Sequence, residues 1–291
     1  MDRTFKKTRL APTPSGYLHV GNVLSFSLTA ALARRTGASV LLRIDDLDIE
    51  RVRTEYVRDI FGTLRFLGIP WDEGPADVAA FERDHSQVQR MELYSRALGS
   101  LRRSGLLFAC TCSRSDLRDG IYPGTCRDRG LSLDDPGVSW RLRTSASLSL
   151  HVKTWDRGMV GEVLPIEMTD FVVRKKDGFP AYQLTSLVDD LHFGVDLIVR
   201  GADLWPSTLA QQHLALCVPG AEAFREATFY HHPLLVGGGG EKLSKSAGAT
   251  SIRYMRGEGL AVGDIYTSIA RLLGREEVVR GWEELAGLIL G

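Results

Sequence analysis

Three groups of residues have the types and spacing to do chemistry. The first runs from Arg9 through Pro12, Pro14 and Gly16 to His19, Gly21 and Asn22. The prolines stiffen the exit of a strand, and Gly16 and Gly21 let backbone approach a ligand closely. His19 and Asn22 fall at the start of a helix, where N–H groups and the helix dipole favour phosphate. Taken alone, the stretch also reads as a Pro/Gly turn with a solvated histidine. The second group, Lys242-Leu-Ser244-Lys245-Ser246, follows the glycines Gly237 to Gly240. Lysines and hydroxyls on a glycine-hinged loop suit a pyrophosphate leaving group, whose developing charge needs preorganised cations. Without the first group, it would read as solvated surface. The third group is Cys110, Cys112, Tyr122 and Cys126. Soft ligands this close in one loop-rich segment suit tetrahedral zinc; separate burial as small hydrophobes is the other reading. Cys217, in an apolar helical stretch, reads as core.

The elements that must position these groups alternate between strand and helix. Thr8 to Ala11 reads as a short strand. Val23, Phe26, Ala30 and Ala33 have helical spacing up to a stop at Gly37, and Val40 to Ile44 reads as a second strand. In such a β-α-β unit the first turn is where nucleotides bind. Val52, Tyr56, Ile60 and Leu64 line another helix closed by Gly68, and Met91, Tyr94, Leu98 and Leu101 line one ending near Gly105. From Leu106 to about Thr169 the alternation breaks, and the later part is strand-like. Helix and strand return between Phe171 and Val236, including a strand at Asp196 to Arg200. The expected fold is α/β, a Rossmann-type nucleotide-binding catalytic domain with an inserted small zinc-bearing subdomain. Residues 1–105 and 170–236 form its halves, 106–169 the insertion, and 237–291 a loop with a helical extension.

Composition narrows the setting. The chain has 291 residues, 44% hydrophobic, with 36 basic and 36 acidic side chains. That balance argues against non-specific nucleic-acid binding, though a local basic face can still hold RNA. No apolar run approaches the ~20 residues that span a bilayer. A basic start without an apolar core argues against export, and four cysteines do not form a secreted disulfide framework. A cytoplasmic monomer away from membranes is expected.

Together, the His19-x-Gly21-Asn22 turn and the Lys242 to Ser246 loop resemble the HIGH and KMSKS signatures of class I aminoacyl-tRNA synthetases. Arg9 to Gly16 resembles the opening of the glutamyl-tRNA synthetases, with Thr13 where the glutaminyl branch usually has a bulkier acidic residue. Leu42-Arg-Ile-Asp45-Asp46 and Ile198-Val-Arg200-Gly-Ala-Asp203 resemble further blocks of that family, so the likeness runs from about Arg9 to Ser246. It implies a glutamate pocket of Arg9, Ala11, Pro12, Thr13, Asp45, Tyr182 and Arg200. Two arginines suit an acidic substrate with two carboxylates, and Asp45 would hold its ammonium group. The resemblance also implies an ATP site of His19, Gly21, Asn22, Lys242, Ser244 and Lys245, with His19 and Lys245 catalytic and Mg²⁺ accompanying ATP. The cysteine pattern resembles the zinc module of the glutamyl-queuosine tRNA(Asp) synthetases, with Tyr122 as fourth ligand to one structural Zn²⁺.

Fewer than 50 residues follow Ser246 in the 291-residue chain, whereas an anticodon-binding half needs ~100 or more. The resemblance therefore implies the truncated, zinc-bearing branch without an anticodon-binding domain. Its partners would be glutamate, ATP and the queuosine-bearing anticodon loop of tRNA(Asp), with Arg118, Arg127 and Arg129 as candidate RNA contacts. Ordinary charging of a tRNA 3′ end or another carrier, and an inactive RNA-binding paralogue, are the other readings. Asp45 stands where the glutamate enzymes usually have Glu, and Asn22 replaces the last His of HIGH. Asp189 and Asp190 read as structural or as tRNA-end contacts.

Overall fold

Short strands and longer helices alternate as the sequence periodicities require. A computed structural model describes residues 4–145, 147–235 and 251–291. The chain opens with β1 (Lys7–Leu10), α1 (Val20–Thr36), β2 (Ser39–Leu42), α2 (Thr54–Leu67) and the single turn α3 (Val78–Ala80). Next come α4 (Met91–Arg103), β3 (Leu107–Cys110), β4 (Ser139–Leu142), β5 (Ser149–Thr154), β6 (Gly158–Val163) and β7 (Val172–Arg174). α5 (Tyr182–His192), β8 (Leu197–Gly201), α6 (Trp205–Cys217), α7 (Glu222–Glu226) and β9 (Thr228–His232) follow. The last described elements are α8 (Ile252–Gly257), α9 (Val262–Leu272) and α10 (Trp282–Leu290). Two compact units result, one of Met1–Gln89, Leu197–Ala202 and His231–Gly291, the other of Arg90–Asp196 and Asp203–Tyr230.

In the first unit β1 and β2 pair in parallel, from Lys7 opposite Ser39 to Leu10 opposite Leu42. Parallel neighbours need a crossover, and α1 supplies it. Leu24, Leu28 and Leu32 are as buried as the expected Val23, Ala30 and Ala33. The helix is thus apolar around most of its circumference, as an interior crossover requires. It ends at Gly37, whose φ of 76° lies in the left-handed region, and the Gly37 N–H bonds the Ala33 carbonyl. In α2 the helix begins at Thr54, which turns Val57, Ile60, Phe61 and Leu64 inward and leaves the expected Tyr56 half-exposed. Tyr266 of α9 donates its hydroxyl to the Leu67 carbonyl at 2.9 Å, tying the C-terminal helices to α2.

In the second unit β3, β4 and β7 form an antiparallel sheet in that order. β5 and β6 make an antiparallel hairpin, and β5 also pairs in parallel with β9 at Lys153–Thr228 and Thr154–Phe229. α4 and α5 are joined by a buried ion pair. Arg90 reaches both oxygens of Asp189 at 2.8 and 3.1 Å, and the Tyr94 hydroxyl adds a third bond at 2.7 Å. Asp189 is therefore structural. The same pair places α4 in the second unit, although the sequence segmentation groups it with residues 1–105. Burial, together with the Asp189 charge, raises the Tyr94 phenol above its ordinary value. A second hub is Asp170, which accepts from the Thr144 N–H at 2.9 Å and from the Arg127 guanidinium.

Candidate active site

The carboxyl ends of β1 and β2 carry the first group of residues. The parallel ladder runs past both strands: Arg43 N–H donates to the Leu10 carbonyl at 2.8 Å, and Asp45 N–H to the Pro12 carbonyl at 2.9 Å. Asp45 is thereby fixed beside the Ala11 to Thr13 turn. Arg9 lies on β1, 5% exposed, and its Nη1 donates to the Val199 carbonyl on β8 at 3.3 Å. The next residue, Arg200, is 3% exposed. Both strand ends thus carry a guanidinium group, the side chain that can take a carboxylate bidentately. Carboxyl ends of parallel strands are where open α/β sheets bind ligands. Arg9, Ala11, Pro12, Thr13, Asp45 and Arg200 all belong to this unit. Tyr182 belongs to the second unit, opening α5 with 45% exposure.

His19 caps α1. Its Nδ1 accepts from the Gly21 N–H at 3.1 Å, while its own N–H donates to Asn22 Oδ1 at 3.0 Å, a reciprocal capping box. An Nδ1 that accepts puts the ring proton of neutral imidazole on Nε2, the nitrogen that would donate to a phosphate oxygen. Gly21 has a steric reason to be glycine: a Cβ there would lie 2.9 Å from His19 Cε1 and 3.1 Å from Nδ1. Asn22 Oδ1 and the Gly21 N–H are thus occupied in orienting His19. Lys242, Ser244 and Lys245 lie outside the described residues. The chain re-enters at Ser251, which bridges to His19.

The cysteine cluster lies in the second unit. Cys110, Cys112 and Cys126 have their sulfurs all within 4.8 Å of one another, and Cys112 and Cys126 are 3.7 Å apart. Tetrahedral zinc at ~2.3 Å from each sulfur would need about 3.8 Å between them, so the spacing fits such an ion. Tyr122 Oη lies 3.7 Å from Cys110 Sγ and accepts from the Cys126 N–H at 2.8 Å. The tyrosine ring is held between Phe108, stacked at 6.1 Å, and Arg141, whose guanidinium is 3.8 Å from its centroid. Burial and the neighbouring thiols push the Cys112 thiol up to about 11. Burial would raise Cys126 too, but the Thr111 N–H and hydroxyl and the adjacent thiols outweigh it and bring Cys126 down to about 6. A thiol lowered in this way beside two further sulfurs suits a thiolate metal ligand. Cys217 is partly buried and donates to the His213 carbonyl at 3.4 Å.

Residues 6–121 and 135–279 match the family model described as tRNA synthetases class I (E and Q), catalytic domain. The chain belongs to this family. Among curated members, a Glutamyl-Q tRNA(Asp) synthetase of Nitratidesulfovibrio vulgaris is 35% identical over 97% of this chain and 91% of its own. One from Pseudomonas paraeruginosa is 41% identical over 82% of this chain and 76% of its own. The glutamate-tRNA synthetase of Elizabethkingia anophelis superposes with a TM-score of 0.73 at 21% identity. That match covers 97% of this chain and 65% of that one, and shows the fold. No helix among the described residues is long and apolar enough to cross a membrane.

The α/β fold of the class I (E and Q) family is therefore present, with the three clustered cysteines on its second unit. The sequence did not point to Arg43 and Arg141. Arg43 grips Asp45 through Nε to Oδ1 at 2.8 Å and Nη2 to Oδ2 at 3.0 Å, and Arg141 covers Tyr122. For Arg43 a signal existed: opposite charges at i and i+2 share one face of an extended segment. Of the candidate RNA contacts, Arg118 and Arg129 are exposed. Arg127 is committed to Asp170 and the Thr144 carbonyl.

Proposed function

We propose that this chain activates glutamate with ATP as glutamyl-adenylate and transfers it to the queuosine base of tRNA(Asp). The carrying observation is the convergence, in one unit, of buried Arg9 and Arg200, the fixed Asp45 carboxylate and the His19-capped start of α1. Glutamate is the amino acid whose two carboxylates and one ammonium match two guanidinium groups and one carboxylate. Arginine can take each carboxylate bidentately. The substrate α-carboxylate oxygen attacks the α-phosphorus of MgATP; the new P–O bond replaces the bond to pyrophosphate, which leaves. In this reading His19 Nε2–H and Lys245 meet charge on the phosphates as it develops, Lys242 and Ser244 also serve ATP, and the Ala11 to Thr13 turn walls the amino acid. Tyr182 is the further residue that the family resemblance assigns to glutamate. The closest support for the acceptor is the kinship with the Glutamyl-Q tRNA(Asp) synthetases.

A structural Zn²⁺ would be held by Cys110, Cys112 and Cys126, with Tyr122 as fourth ligand. When bound, it cross-links the loop between β3 and β4, the core of the 106–169 module. The exposed Arg118 and Arg129 near this loop are the remaining candidates for RNA phosphates. The test is ATP–pyrophosphate exchange with each amino acid, without RNA. Glutamate-dependent exchange is expected. Exchange with no amino acid, or with glutamine in place of glutamate, would sink the reading.

A further inference from the structure

Arg43 is a buried cation that the adenylation chemistry described above does not use. Its side chain is 2% exposed and that of Asp45 is 11% exposed. Both are held by one stretch of backbone, since Arg43 N–H bonds Leu10 and Asp45 N–H bonds Pro12. Arg43 Nε and Nη2 each take a different Asp45 oxygen, at 2.8 and 3.0 Å. Such a fork fixes the plane of the carboxylate as well as its place. A carboxylate has about four lone-pair directions; the fork uses one on each oxygen, and the others keep a defined aim.

We infer that Arg43 is a positioning residue for amino-acid selection, holding Asp45 so that its carboxylate accepts from the substrate α-ammonium. The inference rests on the proposed glutamate pocket. Aspartate is one methylene shorter than the Glu usual in glutamate enzymes, so its reach is smaller and its angle matters more. Arg43 also balances the Asp45 charge. Asp45 acts through directed hydrogen bonds, which only a ligand with an α-ammonium can use. The consequence is discrimination: Arg43 matters for ligands that carry an α-ammonium and not for those that lack one.

Glutarate, which is glutamate without its ammonium group, separates the effects. ATP–pyrophosphate exchange is measured for wild type, Arg43→Gln, Arg43→Lys and the double variant Arg43→Gln/Asp45→Asn, with glutarate as competitive inhibitor. Arg43→Gln should raise the glutamate KM at least about tenfold, the size of one weakened charge-assisted hydrogen bond. The ATP KM and the glutarate inhibition constant should stay within about twofold of wild type. Arg43→Lys should recover part of the loss, because an ammonium restores the charge but not the fork. The double variant leaves no unmatched charge; it should recover melting temperature but not glutamate KM. Unchanged glutamate KM in folded Arg43→Gln would overturn the inference, as would glutarate inhibition that weakens in parallel with glutamate binding. If wild type shows no glutamate-dependent exchange, the pocket assignment itself fails, and Arg43 with it.

Discussion

Ile252 donates its backbone N–H to the carbonyl of Leu18 across 2.8 Å. On either side of that bond, Ser251 bridges to His19 and the Arg253 guanidinium lies 4.9 Å from the Tyr17 ring centroid. Three consecutive residues after the lysine–serine segment thus meet three consecutive residues at the start of α1. Lys245 is six positions before Ser251 in the sequence. The chain thus re-enters the described residues beside the His19 cap.

Lys245→Ala should lower adenylate formation by ~10²-fold or more while glutamate affinity stays nearly intact. In the proposed role the lysine acts on charge that develops at the phosphates, so its loss should fall on kcat. Single-turnover adenylate formation, with glutamate binding measured separately, checks this; an equal loss in both would assign Lys245 elsewhere.

Gly21→Ala should act through His19. The added Cβ would meet the ring at 2.9 Å, and rotating the ring away breaks the Nδ1 bond to the Gly21 N–H. Losing the cap should cost about 1 kcal/mol of stability, and losing the Nε2 donor should slow exchange roughly 10²-fold. Thermal melting and kcat would be compared with His19→Ala, which should give a similar rate defect. A fully active Gly21→Ala enzyme would contradict the steric account.

The β1–α1–β2 unit was legible because its cues are local: proline and glycine at the strand exit, helical spacing, and Gly37 at the stop. The cysteine cluster was legible for the same reason, since Cys110, Cys112 and Cys126 lie within one short segment. What escaped depends on distant pairing. The Arg90–Asp189 bond joins residues far apart in sequence, so spacing could not give α4's place and left Asp189 open between a structural role and a tRNA-end contact. Arg141 lies over Tyr122 only because β4 pairs with β3. Arg127, read as a candidate RNA contact, pairs with Asp170, a partner far along the sequence.

Purified protein should carry about one zinc per chain, and Cys112→Ser should lower metal content and melting temperature together. The reason is that structural zinc contributes directly to folding free energy. Elemental analysis beside differential scanning calorimetry tests it. Protein prepared without chelator yet free of metal, and no less stable after the substitution, would remove zinc from the account.

Asp59 gives a pH signature. Burial pushes its carboxyl above the ordinary value of 3.8, opposed only in part by the Thr63 hydroxyl, Arg253, Arg256 and the Leu18 N–H. An acid whose folded value is raised costs stability above that folded value. The cost fades as pH falls through the folded value toward the unfolded one. Asp59→Asn should therefore raise the melting temperature at pH 7, by an amount that shrinks as the pH falls toward 4. A gain that grows on acidification would reverse the sign.

The acceptor is the central claim, and labelled glutamate tests it most directly. The RNAs to compare are tRNA(Asp) with queuosine, tRNA(Asp) lacking it, and queuosine-containing tRNA(Asp) whose 3′-terminal adenosine has been removed enzymatically. A base acceptor predicts label on the first and third, and label in the anticodon-loop fragment after nuclease digestion. Label that requires the 3′ adenosine and ignores queuosine, or that goes to tRNA(Glu), would contradict the account.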